Sequence, residues 1–457
     1  AAPGSASVAA GAPVADGPLA AESEVWTAPR CCHTHRLEHR GVAAASGRGP
    51  ALAPEEAAEL QGLHAASDGD AWLVIVGGEH GGVMREDFHR TRPGPFLAGH
   101  CSLHWVGETY ARLRDLFGRE RIIVIAQLQE TLSWLRRASA DETSAAALAG
   151  RASLLPMLRG RLLETERACA RLLADGGSDY DGPDVNAATV LHVLRGDASA
   201  LGERQSRRVV PRRGVGSLLL LLVSHGNAHP AHAGARQHEW YLHFPYPAPA
   251  GDDHLYDAVS YRGFEQVDPH PEWDWGAPKR RWRLYAQMLF QAHHEALVHA
   301  PRRRLVLFHQ FCLSGGAAEF MRKPGYRSYF GTRQWPIFTV VTAGCFEPAL
   351  GNFVDIWTRE FAEAAQDGRG SSRTLGDVYD AAERKYWEAN PELRSLNARL
   401  ARAGEAAAPE SEDAPTTVGT IGCESGQDGR TGRPMRSVLV SELVNLWGLP
   451  PLPRLKK

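Results

Sequence analysis

Two apolar runs in this chain end in side chains that can do covalent chemistry. Ser217-Leu-Leu-Leu-Leu-Leu-Val-Ser224 delivers His225-Gly226, and Arg304-Leu-Val-Leu-Phe-His-Gln310-Phe311 delivers Cys312, which Leu-Ser-Gly315-Gly316 follows. The thiolate is the reactive form of cysteine, and its unperturbed pKa of about 8.5 leaves it scarce at neutral pH. An imidazole, with a pKa of about 6.5, can take and return that proton. Taken singly, a cysteine is a core thiol and a histidine a loop residue more often than either is catalytic. Paired at the ends of two apolar runs and each followed by glycine, they are the parts of a cysteine nucleophile and its proton carrier. Gly226 lets the backbone come close to a substrate carbonyl, so its N–H and that of Cys312 are candidates for an oxyanion hole.

The elements that must position these residues follow from pattern. A short apolar run bounded by turn residues reads as a buried parallel strand. Five such strands are expected, at Ala71–Val76, Arg121–Ala126, Leu218–Val223, Leu305–Phe308 and Ile337–Val341, with an edge hairpin at Trp240–Pro245. Helical spacing falls between them, over about 104–117, 142–175, 186–195 (capped by Asp184 or Asn186), 281–298, 353–365 and 375–387. Strands alternating with helices predict an α/β fold with a mostly parallel central sheet joined by right-handed crossovers. Open sheets of this kind place their sites outside the carboxyl ends of the strands, where His225 and Cys312 would lie. Residues 1–69 are rich in Ala, Gly and Pro and read as a disordered extension. The main domain is expected over 70–400, a flexible acidic and Gly-rich loop over 401–435, and a segment packing back on the domain over 436–457.

Bulk properties remove several function classes. With 51 basic and 53 acidic side chains the net charge is −2, without the basic excess of a nucleic-acid binder. No apolar stretch reaches the 18 or so residues that a spanning helix needs, so no membrane span is expected. Seven cysteines in 457 residues do not make a disulfide scaffold. The chain begins with Ala rather than Met, as expected where a targeting segment is removed or absent. Neither a metal site nor a cofactor is expected. His294 and His299 lie one residue too far apart for a zinc-binding helix, and Cys31, Cys32, His33, His35 and His39 fall in the low-complexity extension. Cys423-Glu-Ser-Gly426 offers a second thiol, but inside the expected flexible loop.

Several segments, in order, resemble the legumain (asparaginyl endopeptidase) family. Asp179-Tyr-Asp-Gly182 and the helix ending in Leu194-Arg-Gly-Asp197 resemble an acidic turn and a Leu-Arg-Gly-Asp signature of that family. Ser224-His225-Gly226 resembles its His-Gly element, and Gln310-Phe-Cys312-Leu-Ser-Gly315 its Glu-Ala-Cys-Glu-Ser-Gly element. Ala71–Gly77, Trp240–Pro245 with Asp252-Asp-His-Leu255, Thr342-Ala-Gly344 and Leu350-Gly-Asn352-Phe353 resemble its remaining elements over about 71–360. The resemblance implies a caspase-like three-layer sandwich and a cysteine endopeptidase acting on peptide or protein substrates through His225 and Cys312. It also implies an endomembrane setting, vacuolar, lysosomal or secreted. The family selects Asn with an Arg-His pair and two acidic residues. The matching positions here hold His104 without the Arg, Gln310 and Asn352, so the candidate substrate-binding residues predict a specificity altered from strict Asn. Two other readings stay open: a pseudo-peptidase serving as a binding or assembly subunit, and a peptide ligase or transamidase.

Overall fold

The computed structural model describes residues 70–77, 102–140, 155–201, 208–224, 226–230, 238–243, 283–284, 286–311, 314–322, 336–343, 353–366, 373–406 and 419–444. In chain order these form strand β1 (Asp70–Gly77), helix α1 (Ser102–Phe117), β2 (Ile122–Ala126), α2 (Leu128–Ala140), α3 (Leu155–Ala168), α4 (Ala187–Arg195), β3 (Val215–Val223), β4 (Gly226–Pro230), β5 (His238–His243) and β6 (Arg283–Leu284). Then follow α5 (Ala286–Leu297), β7 (Arg304–Gln310), α6 (Gly315–Arg322), β8 (Ile337–Val341), α7 (Phe353–Gln366), α8 (Leu375–Ala389), α9 (Pro391–Ala406) and β9 (Gly422–Ser425).

Six strands form one mixed sheet in the order β2-β1-β3-β7-β8-β9. All neighbours pair in parallel except β8 and β9. The order explains which helices lie where. The chain steps from β1 to β2 in one direction, then crosses back to β3 and advances through β7 to β8 in the other. Right-handed crossovers in opposite directions put their helices on opposite faces. Accordingly α1 shares an apolar core with Leu73, Ile75, Leu219, Leu221, Val306 and Phe308. Helices α4, α5 and α6 share the other core with Val74, Val76, Leu220, Leu222, Leu305 and Leu307. Successive side chains point to opposite faces of a strand, so a strand covered on both sides must be apolar throughout. All nine residues of β3 and all seven of β7 are buried. Helices α7 and α8 complete the α1 face.

Local chemistry fixes the connections. Asn186 caps α4 by accepting from Thr189 N at 3.0 Å, and Gly196 ends it at φ 68°, where a Cβ would meet Val210 O at 2.6 Å. Asp179 holds the acidic turn to β2 by accepting from Val124 N at 2.8 Å and from the Arg119 and Arg208 guanidinium groups.

Three expectations need correction. The flexible loop expected over 401–435 is not one where it is described. Helix α9 runs on to Ala406, and Gly422–Ser425 pairs antiparallel with β8, Cys423 opposite Val340. The strand is short and half-polar, and among the described residues it is an edge of the sheet. Tertiary packing, not local propensity, makes it a strand. Behind it Asp428 is fully buried against Arg304, with Nε–Oδ1 at 2.9 Å and Nη2–Oδ2 at 2.8 Å. Second, the expected edge hairpin at Trp240–Pro245 is the middle strand β5 of a separate three-stranded antiparallel sheet. Its partners are β4 and β6, and β6 takes the start of the expected 281–298 helix. Third, Arg121 closes a single 3-10 turn rather than opening β2. The low-complexity extension 1–69 lies outside the described residues.

Candidate active site

Strands β1, β3 and β7 end level with one another. Gly77 pairs with Val223, and Val223 pairs with Gln310, in one row at the carboxyl edge of the sheet. Ser224 N donates to Gln310 O at 3.2 Å, which carries the β3–β7 ladder one residue beyond that row. Neighbouring strands lie about 4.8 Å apart. His225 and Cys312 themselves lie outside the described residues, as does Asn352. The chain fixes their attachment points: His225 joins Ser224 to Gly226, the first residue of β4, and Cys312 follows Phe311, which is buried. In the sequence each candidate catalytic residue comes two positions after the last row of two adjacent, flush strands.

The described residues on both sides of Cys312 and Leu313 are tied to the end of β8. Thr342, at the end of β8, donates from Oγ1 to His309 O at 3.0 Å. Ser314 Oγ accepts from Thr342 N at 3.0 Å and from Ala343 N at 3.1 Å. Both hydroxyl side chains are fully buried. This clasp was not legible as a function in sequence. Its only trace is that Ser314 and Thr342 belong to two of the family-like segments, and nothing in their spacing links them.

The candidate substrate-binding residues have distinct surroundings. Gln310 is 5% exposed, and its Oε1 accepts from Val354 N at 3.2 Å. Its amide oxygen therefore holds one of the orphan N–H groups at the start of α7. His104 is half-buried near the start of α1, edge-on to Trp105 and with Nδ1 4.0 Å from Glu164 Oε1. Helix α1 runs down toward the start of β2, so over its roughly 24 Å its first turn lies back toward the carboxyl edge. His104 and the start of α7 therefore share one face and one edge of the sheet with Gln310.

Other reactive side chains fall into place as structure. His309 is fully buried on β7, edge-on to Phe311, and burial drives its pKa down to about 3, so it stays neutral. Cys423 sits on β9. Burial, only partly opposed by Arg436, pushes its thiol up to about 12, so it is not ionised at neutral pH. His299 lies past the end of α5, which stops at Leu297. Among the described residues no group of three or more His, Cys, Asp or Glu side chains is arranged to hold a metal ion, and no helix is long and apolar enough to cross a membrane. The Cys31-Cys32 cluster lies outside the described residues. No protein-family model matches this chain, and no curated protein matches it.

Proposed function

We propose that the chain is a caspase-like cysteine endopeptidase of the legumain kind, with Cys312 as nucleophile and His225 as proton carrier. The observation that carries the reading is the register of β3 and β7. Two parallel neighbours end in one row at the edge where α/β sheets hold their sites, and in the sequence His225 and Cys312 each follow two residues after that row, which supports pairing them.

In this reading the Cys312 thiolate attacks the scissile carbonyl carbon. The Gly226 and Cys312 backbone N–H groups receive the charge that develops on its oxygen. The C–N bond then breaks as His225 gives its proton to the leaving amine, leaving a thioester. Water attacks the thioester, His225 takes the proton, and the acid product and thiolate are released. A peptide amine in place of water would make the same intermediate a ligase or transamidase.

Specificity departs from strict Asn in this proposal, and the surroundings of Gln310 support that. Its amide oxygen is engaged by the first turn of α7, and it carries no charge. The test is turnover of a peptide library, with product masses, by wild type, Cys312→Ala and His225→Ala. The expected result is cleavage by wild type and none above background by Cys312→Ala. Full activity in Cys312→Ala would overturn the assignment. A wild-type thiol that no electrophilic peptide labels at any pH under reducing conditions would instead favour the pseudo-peptidase.

A further inference from the structure

Ser314 occupies the position just before α6, where a serine ordinarily spends its hydroxyl oxygen on the first N–H groups of its own helix. Here the oxygen accepts from Thr342 N and Ala343 N, at the end of the neighbouring strand β8. The helix start is served instead by a backbone bond, Ala317 N to Ser314 O at 3.0 Å. A fully buried side chain that forgoes its local bond for two at a strand end fixes the path of the chain there.

The path in question is short. Phe311 and Ser314 are both buried, and only Cys312 and Leu313 lie between them. Upstream, the strand end is held at His309 O by Thr342 Oγ1, at Gln310 O by Ser224 N and at the Gln310 side chain by Val354 N. Downstream, Ser314 is the hold. Both residues that flank this pair are therefore held by named hydrogen bonds or burial.

We infer that Ser314 is a positioning residue: by clasping the end of β8 it anchors the chain two residues after Cys312 and so acts on the placement of that thiol. This rests on the peptidase reading for its consequence in turnover, though not for its consequence in thiol reactivity. A misplacement of about 1 Å in a reacting group costs on the order of 100-fold in rate. A thiol moved away from its imidazole loses the pairing that keeps it ionised, and returns toward the free value of about 8.5.

The experiment compares wild type, Ser314→Ala, Ser314→Thr and Thr342→Val in the full chain. Two readouts are taken: kcat and KM per titrated active site, and the pH dependence of Cys312 alkylation by iodoacetamide, located by mass spectrometry. Ser314→Ala is expected to lower kcat about 10- to 100-fold with KM changed less than about 3-fold. Its alkylation midpoint is expected to rise toward that of a free thiol. Ser314→Thr keeps the accepting oxygen and is expected to recover most of both. Thr342→Val removes the companion bond to His309 O without changing side-chain size, and is expected to shift both readouts the same way, which serves if the threonine variant does not fold. Wild-type kcat per active site together with a wild-type alkylation profile in Ser314→Ala overturns the inference. Absence of turnover in wild type overturns the peptidase reading instead, and the alkylation profiles then decide the role of Ser314 by themselves.

Discussion

Replacing Asp428 with Asn should destabilise the fold by about 3 kcal/mol, because it removes a charge from a closed ion pair without changing shape. Arg304, the first residue of β7, is 2% exposed and Asp428 is fully buried. Two near-parallel bonds join them, and Arg304 Nη1 also donates to Glu442 Oε2 at 2.9 Å. Leaving a buried cation with less compensation costs roughly 3–5 kcal/mol, and the surviving Glu442 puts this case at the lower end. Asn keeps an acceptor for Thr431 Oγ1, which now bonds Asp428 at 2.8 Å, so the local turn is largely spared. The assay is urea unfolding of wild type, Asp428→Asn and Arg304→Met/Asp428→Asn/Glu442→Gln. The triple variant has no uncompensated charge and should recover part of the loss, its two buried amides keeping it below wild type. The pair also sets a pH limit. Burial raises the Asp428 pKa, but the hydrogen bonds and charge of Arg304 outweigh it, and the net shift is downward. The unfolded chain then binds more protons than the folded one as pH falls below about 3.9, so stability from this group is present above that value and lost in acid. A single variant that loses less than about 1 kcal/mol, or a triple variant as weak as the single, would refute the claim that this ion pair pins the carboxy-terminal segment under β7.

Two further substitutions probe the frame of the site. Asn186→Ala removes the cap of α4 at a fully buried position and should cost about 1–2 kcal/mol in urea unfolding; a neutral result would show that the bond to Thr189 N is not made. Gln310→Met leaves the Val354 N–H of α7 without that acceptor in a buried setting. It should cost about 1–3 kcal/mol, whereas Gln310→Glu, a carboxylate at a helix amino terminus, should cost less above pH 5; thermal melts that rank the two in the opposite order would refute that role for the Gln310 oxygen.

The parallel strands were legible because burial on both faces writes itself into composition. Leu218–Val223 and Leu305–Phe308 are uninterrupted apolar runs of strand length bounded by polar and turn residues, the pattern a strand covered on both faces requires. Asn186 was legible for a related reason, since a cap is a local interaction that needs only a polar side chain before an apolar period. The strand Gly422–Ser425 was illegible because nothing local makes it a strand. Among the described residues it pairs with β8 alone, and its backbone bonds come from residues some 80 positions earlier. Arg304 is a similar case. Nothing local marks an arginine before an apolar strand as buried, and the distant Asp428 and Glu442 are what compensate its charge among the described residues.

At the candidate site the same division separates the residues that do chemistry from those that hold them. A candidate nucleophile and proton carrier stand out in a sequence because few residue types can serve. A holding residue carries no such signature. Ser314 is one of many serines before a helix, and its distinguishing act is to bond β8 instead of its own helix, a choice made by the packing. Gln310 shows the limit from the other side. Read along the chain, a neutral amide two residues before the nucleophile is a missing charge in a substrate pocket. In the fold its amide oxygen already serves the first turn of α7, so a substitution there acts on the helix as well as on substrate. A change in residue preference caused by altering Gln310 would therefore be evidence about a pocket only if α7 keeps its stability, which makes the thermal melt of Gln310→Glu the necessary companion of any cleavage profile measured on it.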